Sequence, residues 1–241
     1  MKVQYFGDIN DYRKFALLRL LSEAGRFKIG VCWMLTEADG TTQGAKRGYQ
    51  KQPDKWRAYD PPLFDALTKA PPQPTIGDLR RIEAEALIAG STFFNEFTPD
   101  SRSGRDSFHG QCMAAFADRN VVFLDPDNGL EVKLPKGRKR SSKYAFLDEI
   151  ADHYGAARSI LLYQHYPRHV SRDECVTAAR GRLRTVLPGV PIWLFETPHV
   201  AFVLVARPDH VDRIETVVAA MKDRGWLPKF FTKVRAAPFA G

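Results

Sequence analysis

The chain has 241 residues, 44% hydrophobic and 27% charged, which is enough to bury a core without disulfides or metals. No apolar run approaches the roughly 20 residues of a bilayer span, and Met1 to Asp11 has no apolar signal stretch, so neither a membrane span nor a secretory leader is expected. Lysine and arginine outnumber acids 36 to 28, and the resulting charge of +8 favours partners that carry phosphate: nucleic acid, a nucleotide or an anionic surface.

The first predicted element is a helix capped by Asn10 or Asp11, with Phe15, Leu17, Leu18, Leu20 and Leu21 apolar and Gly25 as its stop. Lys28 to Leu35 reads as a buried strand. Thr36 to Tyr59 is polar, basic and punctuated by glycine, a functional loop or a partly disordered one. Between two proline-rich breaks a short helix is predicted over Leu63 to Thr68, then a longer one from Ile76 to Ile88 and a short strand over Thr92 to Phe97. The second half alternates regularly. Helices are predicted over Ser107 to Ala117, Lys143 to Tyr154, Arg172 to Val186 and Val211 to Arg224, and strands over Asn120 to Leu124, Ser159 to Tyr163, Pro191 to Phe195 and Val200 to Val205.

Strands separated by helices imply crossovers and a parallel sheet. The four-residue link Glu196-Thr197-Pro198-His199 is too short for a crossover, so the last two strands must be antiparallel neighbours. The expectation is one α/β domain over residues 1–241, a mostly parallel sheet with a C-terminal antiparallel hairpin and helices on both faces. The basic loop at about 36–60 and the helices at about 62–90 are insertions in it. Cys32, Cys112 and Cys175 are scattered and odd in number, which argues for a reducing cytoplasm and against a cysteine metal site.

In such sheets ligands gather beyond the carboxyl ends of the strands. Phe123-Leu124-Asp125-Pro126-Asp127-Asn128-Gly129 runs an apolar strand into an acid–proline turn, with proline stopping the strand and fixing Asp125 at its end. Glu37 and Asp39 follow the first strand, and His165 and Arg168 follow Tyr163. His165 there is a candidate base or donor, whereas its spacing to His169 on an extended segment does not suit zinc. His109, His153, His199 and His210 show no pattern. Lys133, Lys136, Arg138, Lys139, Arg140 and Lys143 follow within 20 residues of the turn and suit phosphate contacts on the same rim, or a solvated loop.

The acid–proline turn resembles the Asp-Pro-Pro-Tyr motif of amino-methylating, S-adenosylmethionine-dependent methyltransferases. Gly7-Asp8-Ile9-Asn10-Asp11-Tyr12-Arg13-Lys14 is similar to the N-terminal motif of the 23S rRNA adenine-N6 methyltransferase family, with Gly7, Asp11 and Lys14 aligned. The resemblance implies a Rossmann-like methyltransferase sheet and S-adenosylmethionine as cofactor. Asp125 and Pro126 would hold the target amine, with Asn128 at the stacking position and Lys14 beside them. Gly7, Asp8, Asp11, Glu37 and Asp39 would lie on the cofactor side, and Tyr5 near the reacting base. The implied partner is nucleic acid, RNA ahead of DNA, with no metal. Three departures stand out: Asp127 and Asn128 replace Pro and Tyr, Phe15 replaces a His, and Glu37-Ala38-Asp39-Gly40 replaces a Gly-x-Gly loop.

Two other readings stay open from the residues. Asp127, Glu131 and Lys133 imitate a metal-dependent nuclease core, in which carboxylates bind magnesium and the lysine supports the attacking water. A non-catalytic nucleic-acid-binding module on the same fold is the other.

Overall fold

The strand Val121–Leu124 alternates its side chains between two cores: Val121 and Phe123 face one, Val122 and Leu124 the other. A strand buried on both faces needs helices on both, and the computed structural model of the chain, which describes residues 1–38, 40 and 46–237, supplies them. The strands are β1 (Ile29–Cys32), β2 (Thr92–Phe94), β3 (Val121–Leu124), β4 (Gly129–Leu130), β5 (Tyr144–Ala145), β6 (Ser159–His165), β7 (Ile192–Glu196), β8 (Val200–Val205) and β9 (Lys233–Ala237). The helices are α1 (Ile9–Glu23), α2 (Pro53–Trp56), α3 (Pro61–Leu67), α4 (Ile76–Ala84), α5 (Arg102–Ala115), α6 (Leu147–Gly155), α7 (Arg172–Val186) and α8 (Val211–Asp223). Helices α1, α3, α4 and α8 bury their apolar residues on one face of the sheet, and α5, α6 and α7 on the other.

The seven-stranded sheet has the order β2-β1-β3-β6-β8-β7-β9. Neighbours β2, β1, β3 and β6 are parallel, β8 runs antiparallel between β6 and β7, and β9 pairs antiparallel with β7 at the edge. From β1 the chain moves outward to β2 and then returns to place β3 on the other flank of β1. The strand order therefore reverses between β1 and β3, which in open α/β sheets opens a crevice at the carboxyl ends.

The α/β class, the β7–β8 hairpin and the span of α7 match the sequence expectation, and the differences have local causes. Asp8, not Asn10 or Asp11, caps α1, its carboxylate accepting the amides of Asn10 and Asp11. The stretch expected as a loop or disordered segment forms helical turns from Gly48 to Tyr59. Tyr49 from it stacks on Tyr12 of α1 at 5.3 Å, and residues 39 and 41–45 lie outside the described part. Helix α6 starts at Leu147 rather than Lys143, because Tyr144–Ala145 pairs with Gly129–Leu130 as a small parallel ribbon. Strand β9 was not expected. Its single apolar residue of size, Val234, sits between Lys233 and Arg235 and gives only a faint alternation.

Helix α1 is the element that positions the site. It is buried nearly all round, with Phe15, Leu17, Leu18, Leu20 and Leu21 fully covered. At about 1.5–3 kcal/mol per buried apolar side chain, these contacts offset the desolvation of Arg13 and Lys14 within the same helix.

Candidate functional site

A cleft of about 530 Å³ opens beyond the carboxyl ends of β3 and β6. Its acids are Asp8 and Asp11 from the start of α1 and Asp125 and Asp127 from the turn after β3. Pro126, Asn128, Tyr5, Tyr163 and Tyr166 add rings and an amide, and Lys143, His165, Arg168, Arg172, His199 and Lys46 add basic groups.

The two sequence motifs meet here. Asp11 and Lys14 lie one turn apart on α1, so both side chains leave the same face. Lys14 Nζ stands 2.6 Å from Asp11 Oδ1 and 2.7 Å from Asp125 Oδ2, with the lysine side chain only 2% exposed. Burial works to lower the Lys14 pKa, but Asp11 and Asp125 hold it above its ordinary value, so the ammonium persists. Removing one partner of such a buried pair generally costs about 3–5 kcal/mol. The Met1 amino group donates to the carbonyl oxygens of Trp33 (3.0 Å), Met34 (2.7 Å) and Asp125 (2.7 Å) and lies 3.3 Å from Asp127 Oδ1, between the ends of β1 and β3. Thr36 Oγ1 donates to Asp127 Oδ2 at 2.7 Å.

Asp8 is pushed up to about 7, first by burial and then by the neighbouring Asp11 charge. Asn10, 8% exposed, donates its amide to Asp8, while its Oδ1 is buried without a hydrogen-bond partner among the described residues. Four carboxylates line this acid side of the cleft, so it suits a ligand that donates hydrogen bonds. Tyr163 is raised well above its usual value by burial, then by Asp8, Asp125, Asp11 and Asp127, so its hydroxyl keeps its proton beside the acids.

Backbone geometry aims the turn after β3. Gly129 has φ +115°, and a Cβ there would lie 2.5 Å from Gln164 Oε1. Through that contact Gln164 accepts from the Leu130 amide at 3.0 Å and donates to the carbonyl oxygens of Asn128 (3.3 Å) and His165 (2.9 Å). Gly7 has φ +83° and its N–H donates to Asp11 Oδ2 at 2.9 Å, so it shapes the start of α1 without lining the cleft.

Of the sequence candidates, the structure brings together Lys14, Asp8, Asp11, Asp125, Pro126, Asn128, Tyr5, Lys143, His165 and Arg168. Glu37 is exposed and outside the cleft lining, and Asp39 lies outside the described residues. The basic run does not form the expected rim, and Lys143 is its one member in the cleft lining. Lys136 is bound to Asp148 (2.6 Å) and Glu149 (3.2 Å), and Arg138, Lys139 and Arg140 are exposed elsewhere. Asp100 fixes this loop by accepting the amides of Arg140 and Ser142 at 2.7 and 2.8 Å. Asp127, Glu131 and Lys133 are not gathered. Asp127 lines the cleft, while Glu131 accepts the Leu147 amide at 3.3 Å and Lys133 is exposed, both outside the lining. Among the described residues no group of three or more His, Cys, Asp and Glu is disposed to hold a metal ion.

Sequence reading missed Asn10, Lys46, Tyr163, Tyr166, Arg172 and His199 in the lining. Tyr163 and Tyr166 sit at the end of a predicted strand and were open to the same rule that selected His165. Lys46 and His199 come from a long loop and a hairpin turn, where spacing carries no signal.

Protein-family models, curated proteins and solved structures give no match to this chain. No helix of the described residues is long and apolar enough to cross a membrane.

Proposed function

We propose that the chain is an S-adenosylmethionine-dependent methyltransferase of Rossmann-like type, acting on an amino group of a nucleic-acid base, with RNA favoured over DNA. The observation that carries this reading is the 2.7 Å pairing of Lys14 with Asp125 inside the cleft, which joins two motifs 111 residues apart that share one family resemblance. The sheet, with β8 antiparallel between β6 and β7, agrees with that type of fold. The donor fits the residues present: the carboxylates of Asp8 and Asp11 suit its amino and hydroxyl groups, and the volume is that of an ordinary small-molecule site. When bound, S-adenosylmethionine supplies the methyl group.

The chain's own residues do the rest. Asp125 presents a carboxylate as acceptor for the target amine, and Lys14 holds it in place through Oδ2. The Pro126 turn keeps that carboxylate at the strand end. With Asn128 where an aromatic ring stands in the related motif, a base in the cleft meets the lining rings of Tyr163 and Tyr166 instead. The nuclease reading is not favoured, because its three residues do not share the cleft.

The test is transfer of labelled methyl from S-adenosylmethionine to RNA and to DNA. Wild-type transfer is expected, with RNA the better acceptor, and Asp125→Asn should lower the rate about a hundredfold, the usual effect of losing one oriented polar group. Transfer unaffected by Asp125→Asn would overturn the assignment.

A further inference from the structure

One part of the cleft lining is built from basic side chains. His165 ends β6, Arg168 follows in the loop, Arg172 opens α7, and His199 stands in the β7–β8 turn, with Lys46 alongside. Neither Arg168 nor Arg172 is ion-paired to a carboxylate among the described residues. Arg172 lies 6.0 Å over the Tyr166 ring, which orders its guanidinium. Like charges gathered at the mouth of a cleft repel one another, and an entering anion relieves that repulsion.

We propose that His165, Arg168, Arg172 and His199, with Lys46, form a phosphate subsite at the rim of the cleft. It deepens the methyltransferase reading by naming the anionic group that the acceptor carries, and rests on that reading only in sharing the cleft. Arginine forks and imidazolium N–H groups both match phosphate oxygens.

The same groups give the subsite a proton signature. His165 is lowered by burial, then by Lys46 and Arg168. His199 is lowered by burial, then by Lys46, Arg13, Arg172 and His165. These neighbours come from α1, the loop at Lys46, the end of β6, the loop after it and α7, and all carry or can gain positive charge. Burial and these neighbours therefore favour neutral imidazoles near pH 7, and a bound phosphate favours their protonation. Binding should tighten as pH falls from about 8 to about 6, with proton uptake.

The experiment is calorimetry on the whole chain with adenosine 5′-monophosphate, adenosine and an oligoadenylate lacking a terminal phosphate. Titrations run at about pH 6 and pH 8, in buffers of different ionisation enthalpy. Phosphate-bearing ligands should bind at least about tenfold more tightly than adenosine and take up protons. Arg168→Ala and Arg172→Ala should each weaken binding about tenfold, and the His165→Gln/His199→Gln pair should take up fewer protons than wild type, what remains coming from Asp8 and the phosphate itself, which titrate in the same window. Wild-type affinity should also fall with salt, a readout independent of whether a variant folds. Preference for the monophosphate alone marks a terminal phosphate as the natural group, and preference shared by the oligoadenylate marks the backbone diester. Heats of dilution for all three ligands, equal affinity for adenosine and its monophosphate, or proton uptake unchanged in the double His variant would overturn the subsite. No methyl donor is present, so failure of the methyltransferase reading leaves these heats unchanged.

Discussion

Asp8 shows how one residue serves both helix and site. Its carboxylate caps α1 yet is buried beside Asp11, and its pKa rises from 3.8 to about 7. Between about pH 4 and pH 7 the folded chain therefore holds a proton that the unfolded chain releases. Through that window this residue's contribution makes stability fall as pH rises, and it levels off above about pH 7. Asp8→Asn keeps an oxygen for the Asn10 and Asp11 amides but has no such proton to hold. Its urea midpoint should lose that part of the pH dependence, and identical slopes in variant and wild type would contradict the assignment. At this scale much of the acid half of the site was legible. Asp11, Lys14 and Asp125 stand in short motifs whose residue types are set by hydrogen bonding and charge. Lys46 and His199 were not legible, because only tertiary folding brings a loop and a hairpin turn to the same rim.

Among elements, the segment from β3 through β4 depends on Gly129. With φ +115° and Gln164 filling the space where a Cβ would go, any side chain there strains the backbone and displaces the amide that holds Leu130, Asn128 and His165. Gly129→Ala is expected to destabilise the chain by about 1–3 kcal/mol in urea unfolding and to weaken ligand binding, because the Asp125–Asn128 turn shifts. Unchanged stability would show that the turn tolerates a side chain. Strand and helix order was readable because apolar runs and helical periods alternate cleanly through the second half. The cap of α1 was placed two or three residues late, since Asp8, Asn10 and Asp11 are all good caps and only the Gly7 turn selects the first. The Gly48–Tyr59 turns escaped notice because their burial comes from long-range contacts with α1, such as Tyr12 with Tyr49, and not from a local period.

Over the whole molecule, the surplus of positive charge divides. Some basic side chains are internal struts: Arg105 forms a double hydrogen bond with Glu149 at 2.7 Å, and Lys136 joins the same acid. Others, including Lys143, Arg168 and Arg172, surround an acid-floored cleft. Net charge alone could not separate these populations, and a run of basic residues in sequence proved a poor guide to which ones share a surface. An acid floor below a basic rim suits two separate groups, a hydrogen-bond donor over the acids and the acceptor's phosphate at the rim. The most direct measurement of the acid side, on which the methyltransferase reading depends, is a calorimetric titration of S-adenosylmethionine into the folded chain and into Asp11→Asn. One saturable site, weakened about tenfold or more in the variant, is the expected result. A flat titration at high micromolar donor with wild-type protein folded would contradict it.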